Sequence, residues 1–533
     1  NYTANLTLLS LYNKIPYFKR INSGQLNNPV KKPPKEKNKA DKKDTANKEE
    51  PKVQNFGAIA EFLARGIMMI KSMNISLVQT AGTGMPNFKP KSEYLGMDWD
   101  HYNNAPGIGF ITGSQNDIRP EALDKGWLTL NRNQTTPYTQ NKTRNIQYKV
   151  SIEPHGSLKI DLNGIQNKSN SVTEFMRFDS TENKYHFHDS RAETGNFSTS
   201  IFTLGKAFKD KPHGVESELF KEFLSSRQDY AKQLSDANKG NSAGLQTNGL
   251  GKPYYDGYNQ TQQDVLMGTF YDVYSGRKIR NYSTKNIFPG MPLPNWTVSW
   301  DGLGKIKSLQ KIFRSITLRH SYKSTYTIGG YSNNLLYGDG NPLAAQYSRS
   351  PVQNPVVNGK AESSNFIPYY SVTSVVISEA FAPLIKVDLQ FVKPGWQGNF
   401  EIRKDKTVTL NFTGPQIIET KGQEYVIGVG YRYPKLTIKK ITIQGKPLQS
   451  DLNIKIDLSY RRNVSVIRRI VDEISTPTGG TNIITLRSAI DYQLTPNINL
   501  RLFYDWIRTT PQTSASFPTS NINGGFSLRI NLQ

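Results

Sequence analysis

The residue types that perform most enzyme chemistry are scattered in this sequence. His186 and His188 form the one close histidine pair, and at i and i+2 on a strand both rings would share a face, a spacing that some metal sites use. The neighbouring acids, Glu182 and Asp189, follow no metal-binding motif, and the 533-residue chain contains no cysteine. We interpret the pair as polar residues at a hairpin tip, and we predict no metal site.

Motifs for phosphate or glycosidic chemistry are also missing. The glycine-rich pieces at 82–84, 107–109 and 329–330 do not lie between a strand and a helix with a following lysine, so they do not indicate a phosphate loop. No carboxylate pair stands out as a glycosidase dyad. We therefore predict that the chain is not an enzyme and binds no cofactor.

The charge of the chain is large but dispersed. The formal net charge is +24, which alone would suggest a nucleic-acid-binding protein. The densest run, residues 31–52, holds nine lysines against five acids, and most other cations stand singly in strand-like segments. The longest helix-like apolar stretch, 56–70, is interrupted by Glu61 and Arg65, so it does not predict a spanning helix. This distribution favours a hydrated polar surface, with no nucleic acid as partner.

The dominant pattern is alternation of apolar and polar residues with a period of two, which predicts β-strands. It is clearest after residue 450, where Leu458, Leu486 and Leu502 belong to one face. The charged residues of the opposite face, which we predict to line a water-filled lumen, are Asp457, Arg461, Arg487, Asp491, Arg501, Asp505 and Arg529.

The length of these runs decides between two fold classes. They extend over about 10 to 12 residues, the span of a tilted membrane strand, whereas soluble strands average about 5–6. Tyrosines and tryptophans such as Tyr431, Tyr433 and Trp506 lie near the run ends, as in an interfacial aromatic girdle. We predict an all-β fold, a large transmembrane antiparallel β-barrel with helical periplasmic inserts. An ordinary β-sandwich with aromatic edges is the alternative.

The count of strands predicts how the chain is organised. We expect about 15 strands, an odd number that cannot close with both ends on one side, so further wall must come from other residues. The chain begins at Asn1 without a signal peptide, and we expect it to be part of a longer protein. Counting crossings back from a periplasmic last strand places every helical insert in the periplasm. The predicted segments are a strand and turn (1–27), a disordered Lys-rich linker (28–52), an amphipathic periplasmic helix (53–72), strands and extracellular loops (73–207), a helical periplasmic insert (208–290) and C-terminal strands (291–533).

Short motifs, in order along nearly the whole chain, resemble the C-terminal part of the SprA/Sov family, the outer-membrane translocon of the type IX secretion system in Bacteroidetes. They are Leu9–Lys14, Phe62–Lys71, Ala105–Phe110, Gly113–Gln115, Asp117–Arg119, Gly126–Thr129, Ile152–Pro154, Pro292–Trp296, Ser315–Leu318, Ser324–Tyr326, Phe381–Ile385, Ile427–Arg432, Leu502–Asp505 and Ser516–Asn521. The chain departs from ordinary outer-membrane barrels in ending at Gln533 rather than at an aromatic residue.

The resemblance implies a function that the alternation does not. It implies a protein-conducting channel in the outer membrane of a Gram-negative bacterium, through which folded cargo proteins with C-terminal sorting domains leave the periplasm. The implied partners are a PorV-like shuttle barrel, a periplasmic plug protein and the cargo, with outer-membrane lipid and lipopolysaccharide around the wall. In gliding species the family supports gliding motility.

Two other functions remain open at this point. A TonB-dependent nutrient transporter has an N-terminal plug domain and about 22 strands, and the odd strand count and the predicted periplasmic helices disfavour it. A secreted carbohydrate-active β-protein would be soluble without detergent, and the absent carboxylate dyad disfavours it.

Overall fold

Most of the structure, a computed structural model, consists of β-strands. The structure describes residues 1–16, 18–19, 66–129, 135–182, 184–186, 191–206, 215–249, 251–337, 356–357, 360–361, 365–443, 446–495, 497–513 and 516–530. Strands β1 to β21 are, in chain order, Tyr2–Thr7, Ile70–Gly84, Tyr138–His155, Leu158–Glu174, Arg177–Asp179, Lys184–His186, Ala192–Ser200, Leu245–Thr247, Pro253–Tyr255, Asn295–Trp300, Phe313–Asn333, Val356–Val357, Lys360–Ala361, Tyr370–Val372, Ser374–Phe391, Trp396–Asn411, Gln416–Ile443, Lys446–Arg469, Ile474–Thr495, Ile498–Pro511 and Thr519–Ile530. Helices α1 to α6 are Leu8–Lys14, Ile108–Ile111, Arg119–Asp124, Glu218–Ala237, Gln263–Ser275 and Lys307–Gln310.

One antiparallel sheet holds fifteen of these strands. Its order is β1-β2-β3-β4-β10-β11-β15-β16-β17-β18-β19-β20-β21, and β7 and β14 pair beside this path. Neighbours in the sheet are mostly neighbours in sequence, which is the meander of an up-and-down barrel. The large antiparallel sheet and the strand count are confirmed. Among the described residues β1 and β21 do not pair with each other, so the sheet is open.

Strands β7 and β10 lie end to end and together fill one strand position, or place, in the sheet. Residues 166–173 of β4 pair with β7, and residues 158–163 of the same strand pair with β10, both antiparallel. Both halves also pair with β11 on their other side. The chain therefore leaves the sheet in mid-strand after Ser200 and returns to it at Asn295. Because β14 and β15 likewise share a place beside β11, the fifteen strands occupy thirteen places.

The strand ends define two edges of the sheet. The turn edge carries the connections at 156–157, 392–395 and 496–497 and the C-terminal end of β21. The loop edge carries the connections 85–137, 334–369 and 470–473. The segment 8–69 joins β1 to β2 at the turn edge, because Thr7 pairs with Ser72 there. In contrast, α4 and α5 pack on the half of the sheet near the loop edge.

The prediction that all helical inserts lie on the periplasmic side is therefore wrong, because the helical residues 66–68 precede β2 at the turn edge, whereas α4 and α5 lie near the loop edge. Helices are confirmed near 215–236 and 260–275, as α4 and α5. The helix predicted over 53–72 ends earlier, since residues 66–68 are helical and β2 begins at Ile70. In segment 1–27 a helix, α1, follows the strand where a turn was predicted. The linker predicted at 28–52 lies outside the described residues.

The excursion from the split strand carries α4 and α5, which share one hydrophobic core with the sheet, and we call its described residues between 201 and 294 the helical module. Ser217 caps α4 by accepting a hydrogen bond from the Phe220 backbone N–H, and Gly276 ends α5 with a left-handed φ of 70°. Apolar side chains of both helices pack against the sheet. The buried contacts on the sheet side include Tyr326, Ile328, Val375, Ile377, Val408, Leu410, Ile417 and Ile470.

The stability of the helical module should depend on pH through Asp264. This side chain lies in the first turn of α5, and its burial raises its pKa to about 6, although hydrogen bonds from the Thr284 and Gln262 side chains act in the opposite direction. A folded-state pKa above the unfolded value adds stability that is complete below pH about 4 and is lost as the pH rises past about 6, by about 3 kcal/mol in all.

We therefore expect hydrogen-exchange protection factors of α4 and α5 to fall between pH 4 and pH 7. Asp264→Asn, which cannot ionise, should flatten this dependence. Equal pH dependence in both proteins would show that Asp264 is not its source.

Candidate functional site

The two faces of the sheet differ completely in chemistry. In β18 the odd-numbered residues 453–463 lie on one face, here called the charged face, and the even-numbered residues 452–460 lie on the other, the apolar face. The register carries this division across the sheet: Arg487 of β19 pairs with Asp457 on one side and Asp505 on the other. Asp491 pairs with Arg501. Together with Arg461 and Arg529, all seven residues predicted to face a lumen lie on the charged face.

A ladder of ion pairs crosses four strands of the charged face. Arg461 of β18 lies 2.9 Å from Asp405 and 3.6 Å from Glu424, and Arg403 lies 3.3 Å from Glu424. Arg403 also bonds Glu401, which Lys386 of β15 approaches to 3.7 Å. Partly exposed pairs of this kind contribute only about 0–1 kcal/mol each to stability. The main consequence of the ladder is a hydrated surface on which acidic and basic side chains neutralise each other.

Most members of this ladder were not among the sequence predictions. Lys386, Glu401, Arg403, Asp405 and Glu424 lie in runs already predicted as strands, at alternating positions. Their common face follows only from the register between strands, which places Arg403 opposite Glu424 and Glu424 opposite Arg461. The alternation inside each strand could have identified these residues as a polar face, but not as partners.

Glycines in β17 make room for the charged side chains. A Cβ at Gly422 would lie 2.5 Å from Asp405 Oδ2 and 2.6 Å from Arg461 Nη2. A Cβ at Gly428 would lie 2.0 Å from Asn399 Oδ1 and 2.3 Å from Asp457 Oδ1. These positions let long side chains from both neighbouring strands lie across the middle strand.

The apolar face forms a band of exposed hydrophobic side chains. Ile427 and Ile456 are 53% and 46% exposed, and Phe526 is 76% exposed. Other exposed members are Ile75, Trp300, Ile385, Phe400, Val429, Leu458, Ile490, Leu502, Tyr504, Ile522, Leu528 and Ile530. So large a contiguous apolar surface is not found on soluble monomers, whereas it is the lipid-facing surface of a membrane barrel.

Aromatic side chains border this band. Near the turn edge, the Trp396 and Tyr431 rings are 4.7 Å apart, with Tyr433 next to them. Near the opposite border, Trp296 stacks on Tyr322 at 4.4 Å. In β17 the band runs from Tyr425 to Tyr433, about 26 Å along the strand, or about 20 Å in height at a tilt of about 40°. This matches the roughly 25 Å apolar belt of outer-membrane barrels.

A buried ionic cluster lies on the same face, beyond the band and under the helical module. Glu419 of β17 accepts from Arg468 Nε at 3.0 Å and lies 3.2 Å from Lys406 Nζ and 3.1 Å from Lys421 Nζ. The Arg468 guanidinium is fully buried and also donates to the Val215 carbonyl and the Ser475 hydroxyl. The cluster joins the sheet to the segment that leads into α4.

His186, the described member of the histidine pair, lies in the hairpin of β5 and β6. His186 Nε2 is 3.2 Å from Glu182 Oε2, and ligand atoms of Asp179, Glu182 and His186 lie within 4.8 Å of one another. Hydrogen bonds from the Thr181 hydroxyl and backbone N–H lower the pKa of Asp179. His188 and Asp189 lie outside the described residues. The hairpin has the geometry of a surface ion pair.

Among the residues that the structure describes, none of the helices combines the length and the hydropathy needed to cross a membrane.

No family model matches this chain, and no curated protein matches it. Among solved structures it is similar to the closed form of the ferric-catecholate import receptor Fiu from E. coli K12, at 8% identity and a TM-score of 0.23, over 84% of this chain and 56% of that one. OmpT, an outer membrane protein of Vibrio cholerae, matches at 8% identity and a TM-score of 0.17, over 74% and 94%. An anion-selective porin from Comamonas acidovorans matches at 9% identity and a TM-score of 0.16, over 74% and 92%.

At TM-scores this low, the superpositions support no conclusion about this chain. The chain also spans only about half of the receptor's length. The fold class follows from the sheet itself, with long antiparallel strands, one ionic face and one exposed apolar band bordered by aromatic rings. The chain is a stretch of the wall of a transmembrane β-barrel.

Proposed function

We propose that this chain forms part of the wall of a protein-conducting channel in the outer membrane, of the SprA/Sov type. The observation that carries the proposal is the open sheet of thirteen places with one continuous charged face. An unpaired strand edge cannot face lipid, so β1 and β21 require further strands beside them. The ordered series of motifs from Leu9 to Asn521 supports the assignment to this family.

The size of the bore separates this function from nutrient transport. A barrel of about 36 strands, the largest known number, would measure about 70 Å across the backbone, and one of about 22 strands about 45 Å. A folded domain of about 100 residues is about 35 Å wide, so it fits through the first but not past the side chains of the second. Imaging of the detergent-solubilised full-length protein tests the proposal: a diameter near 45 Å would favour a transporter.

The orientation follows from the lengths of the connections between strands. Outer-membrane barrels have short periplasmic turns and longer extracellular loops, and the turn edge carries the short connections 156–157, 392–395 and 496–497. The turn edge is then periplasmic, and the helical module is extracellular. The proposed partners are a PorV-like barrel, a periplasmic plug and cargo proteins with C-terminal sorting domains. A plug would meet the turn edge, where β1 ends and β2 begins, in a Gram-negative bacterium of the Bacteroidetes.

Transport through such a wall needs hydration rather than catalysis. Replacing Arg487 and Arg501 together with leucine would put apolar side chains on the charged face, and we expect cargo secretion to fall several-fold while assembly of the barrel is retained. Thr485→Leu, on the same face without loss of charge, is the control. The measurement is cargo in the medium against folded barrel in the outer membrane. Failure of assembly before secretion would mean that this face does not line the lumen.

A further inference from the structure

A row of polar side chains lies on the apolar face just beyond the aromatic border of the lipid band. Lys404, Gln423, Arg462 and Asn482 are direct cross-strand neighbours on β16, β17, β18 and β19. Arg508 of β20 follows Trp506 on the same face and pairs with Ile484. We call these five residues the cationic row. It contains three cations, two amides and no acid.

The cations of this row lack the partners that cations elsewhere in the sheet have. Among the residues that the structure describes, Lys404, Arg462 and Arg508 form no ion pair, and Arg462 Nε is buried without a hydrogen-bond partner. Arg461, the next residue along β18, is paired with Asp405 and Glu424 on the charged face. The acids of the apolar face near the row, such as Glu419, are buried with their own lysines and arginine.

Unpaired cations at this depth require anions from the membrane. The row lies where the lipid band ends, at headgroup height, on the side that the proposed orientation makes extracellular. Cations on alternate strands are about 10 Å apart, with an amide between them that can donate to a phosphate or a sugar hydroxyl. Arginine and lysine are the side chains that bind phosphate, arginine in a bidentate manner.

We infer that the cationic row binds the lipid A phosphates of lipopolysaccharide in the outer leaflet. The inference rests on the proposed outer-membrane location and assigns one lipid partner to named residues of the wall. Binding there would fix the height of the barrel in the membrane. It would also place sugar headgroups beside the helical module, which begins beyond the same border.

The test compares two neighbouring arginines on opposite faces. Full-length protein in nanodiscs is titrated with labelled lipopolysaccharide, and co-purified lipid is measured by native mass spectrometry. Arg462→Ala should lower the affinity for lipopolysaccharide about fivefold, because each cation near an anionic surface raises the affinity by about that factor. The triple variant Lys404→Ala, Arg462→Ala, Arg508→Ala should lower it about a hundredfold. Arg461→Ala is the matched control and should bind like the wild type.

Lipid without phosphates separates phosphate recognition from general contact with the lipid. Dephosphorylated lipid A should bind the wild type no better than phosphorylated lipid A binds the triple variant. Wild-type binding by the triple variant, an equal loss in Arg461→Ala, or tight binding of dephosphorylated lipid would each overturn the inference. A protein found outside the outer-membrane fraction would instead overturn the proposed function.

Discussion

An arginine in place of Ile456 should lower the free energy of unfolding of the barrel by about 2–4 kcal/mol, the cost of a cation on the lipid face at mid-depth. Ile456 lies at the centre of the exposed band in β18, opposite Val429. The cost arises because the lipid around this position can neither hydrate nor neutralise the guanidinium. The matched control is Ser459→Arg, three residues along the same strand on the charged face, which should change stability by less than about 0.5 kcal/mol.

Urea unfolding in lipid vesicles, followed by the mobility shift between folded and unfolded barrel, measures both variants. The comparison is direct because both variants introduce an arginine into the same strand, only three residues apart. Equal losses at Ile456 and Ser459 would show that the two faces do not meet different solvents.

Removal of Arg468 should release the helical module from the sheet. Its guanidinium is fully buried and bonds Glu419, Ser475 and the Val215 carbonyl. Truncating Arg468 removes this donor from all three groups, at about 1–3 kcal/mol for each buried group left without a partner, while Glu419 keeps Lys406 and Lys421 beside it. We expect Arg468→Ala to make the helical module sensitive to protease while the membrane strands stay protected. Arg469→Ala, at the exposed next residue with a 3.7 Å pair to Asp472, should cost less than about 0.5 kcal/mol.

A second variant separates lost hydrogen bonds from lost packing. Arg468→Met keeps the apolar stem of the side chain without the guanidinium and leaves Glu419 with Lys406 and Lys421, so protection that returns relative to Arg468→Ala is due to packing. The result to compare is the fraction of intact α4 after a fixed digestion time. Full protection in Arg468→Ala alone would mean that the ionic cluster does not attach the module.

The faces of the sheet could be predicted from the sequence because their cause is local. In a strand, alternate side chains point to opposite sides, so Asp457 and Arg461 must share a face whatever lies beside them. The ladder that joins Arg461 to Glu424 and Arg403 could not be predicted, since it depends on the register of three strands. Gly422 and Gly428 hint at it only once that register is known.

The side of the helical module was predicted wrongly for a definite reason. Pro383 interrupts the alternation between Tyr369 and Val392, so the sequence indicates two strands there, whereas β15 runs through with a register shift between Phe381 and Ile385. Counting two strands in place of one adds a crossing of the membrane, and the prediction therefore places the helical module at the wrong edge. Further back, the alternating runs Phe197–Leu204 and Trp296–Leu303 indicate two crossings, although β7 and β10 share one position in the sheet. The second error cancels the first, so the start of β2 is still predicted at the correct edge.

The opposite solvents of the two faces are tested most directly by spin labels placed along β18. These 533 residues contain no cysteine, so in single-cysteine variants at 452 to 461 no other position of this chain takes up the label. We expect even-numbered positions to collide with oxygen, which concentrates in lipid, and odd-numbered positions to collide with a water-soluble nickel chelate. The two accessibilities should alternate with a period of two and in opposite phase. High nickel accessibility at 454, 456 and 458 would mean that water bathes the apolar face, and that this sheet is not a membrane wall.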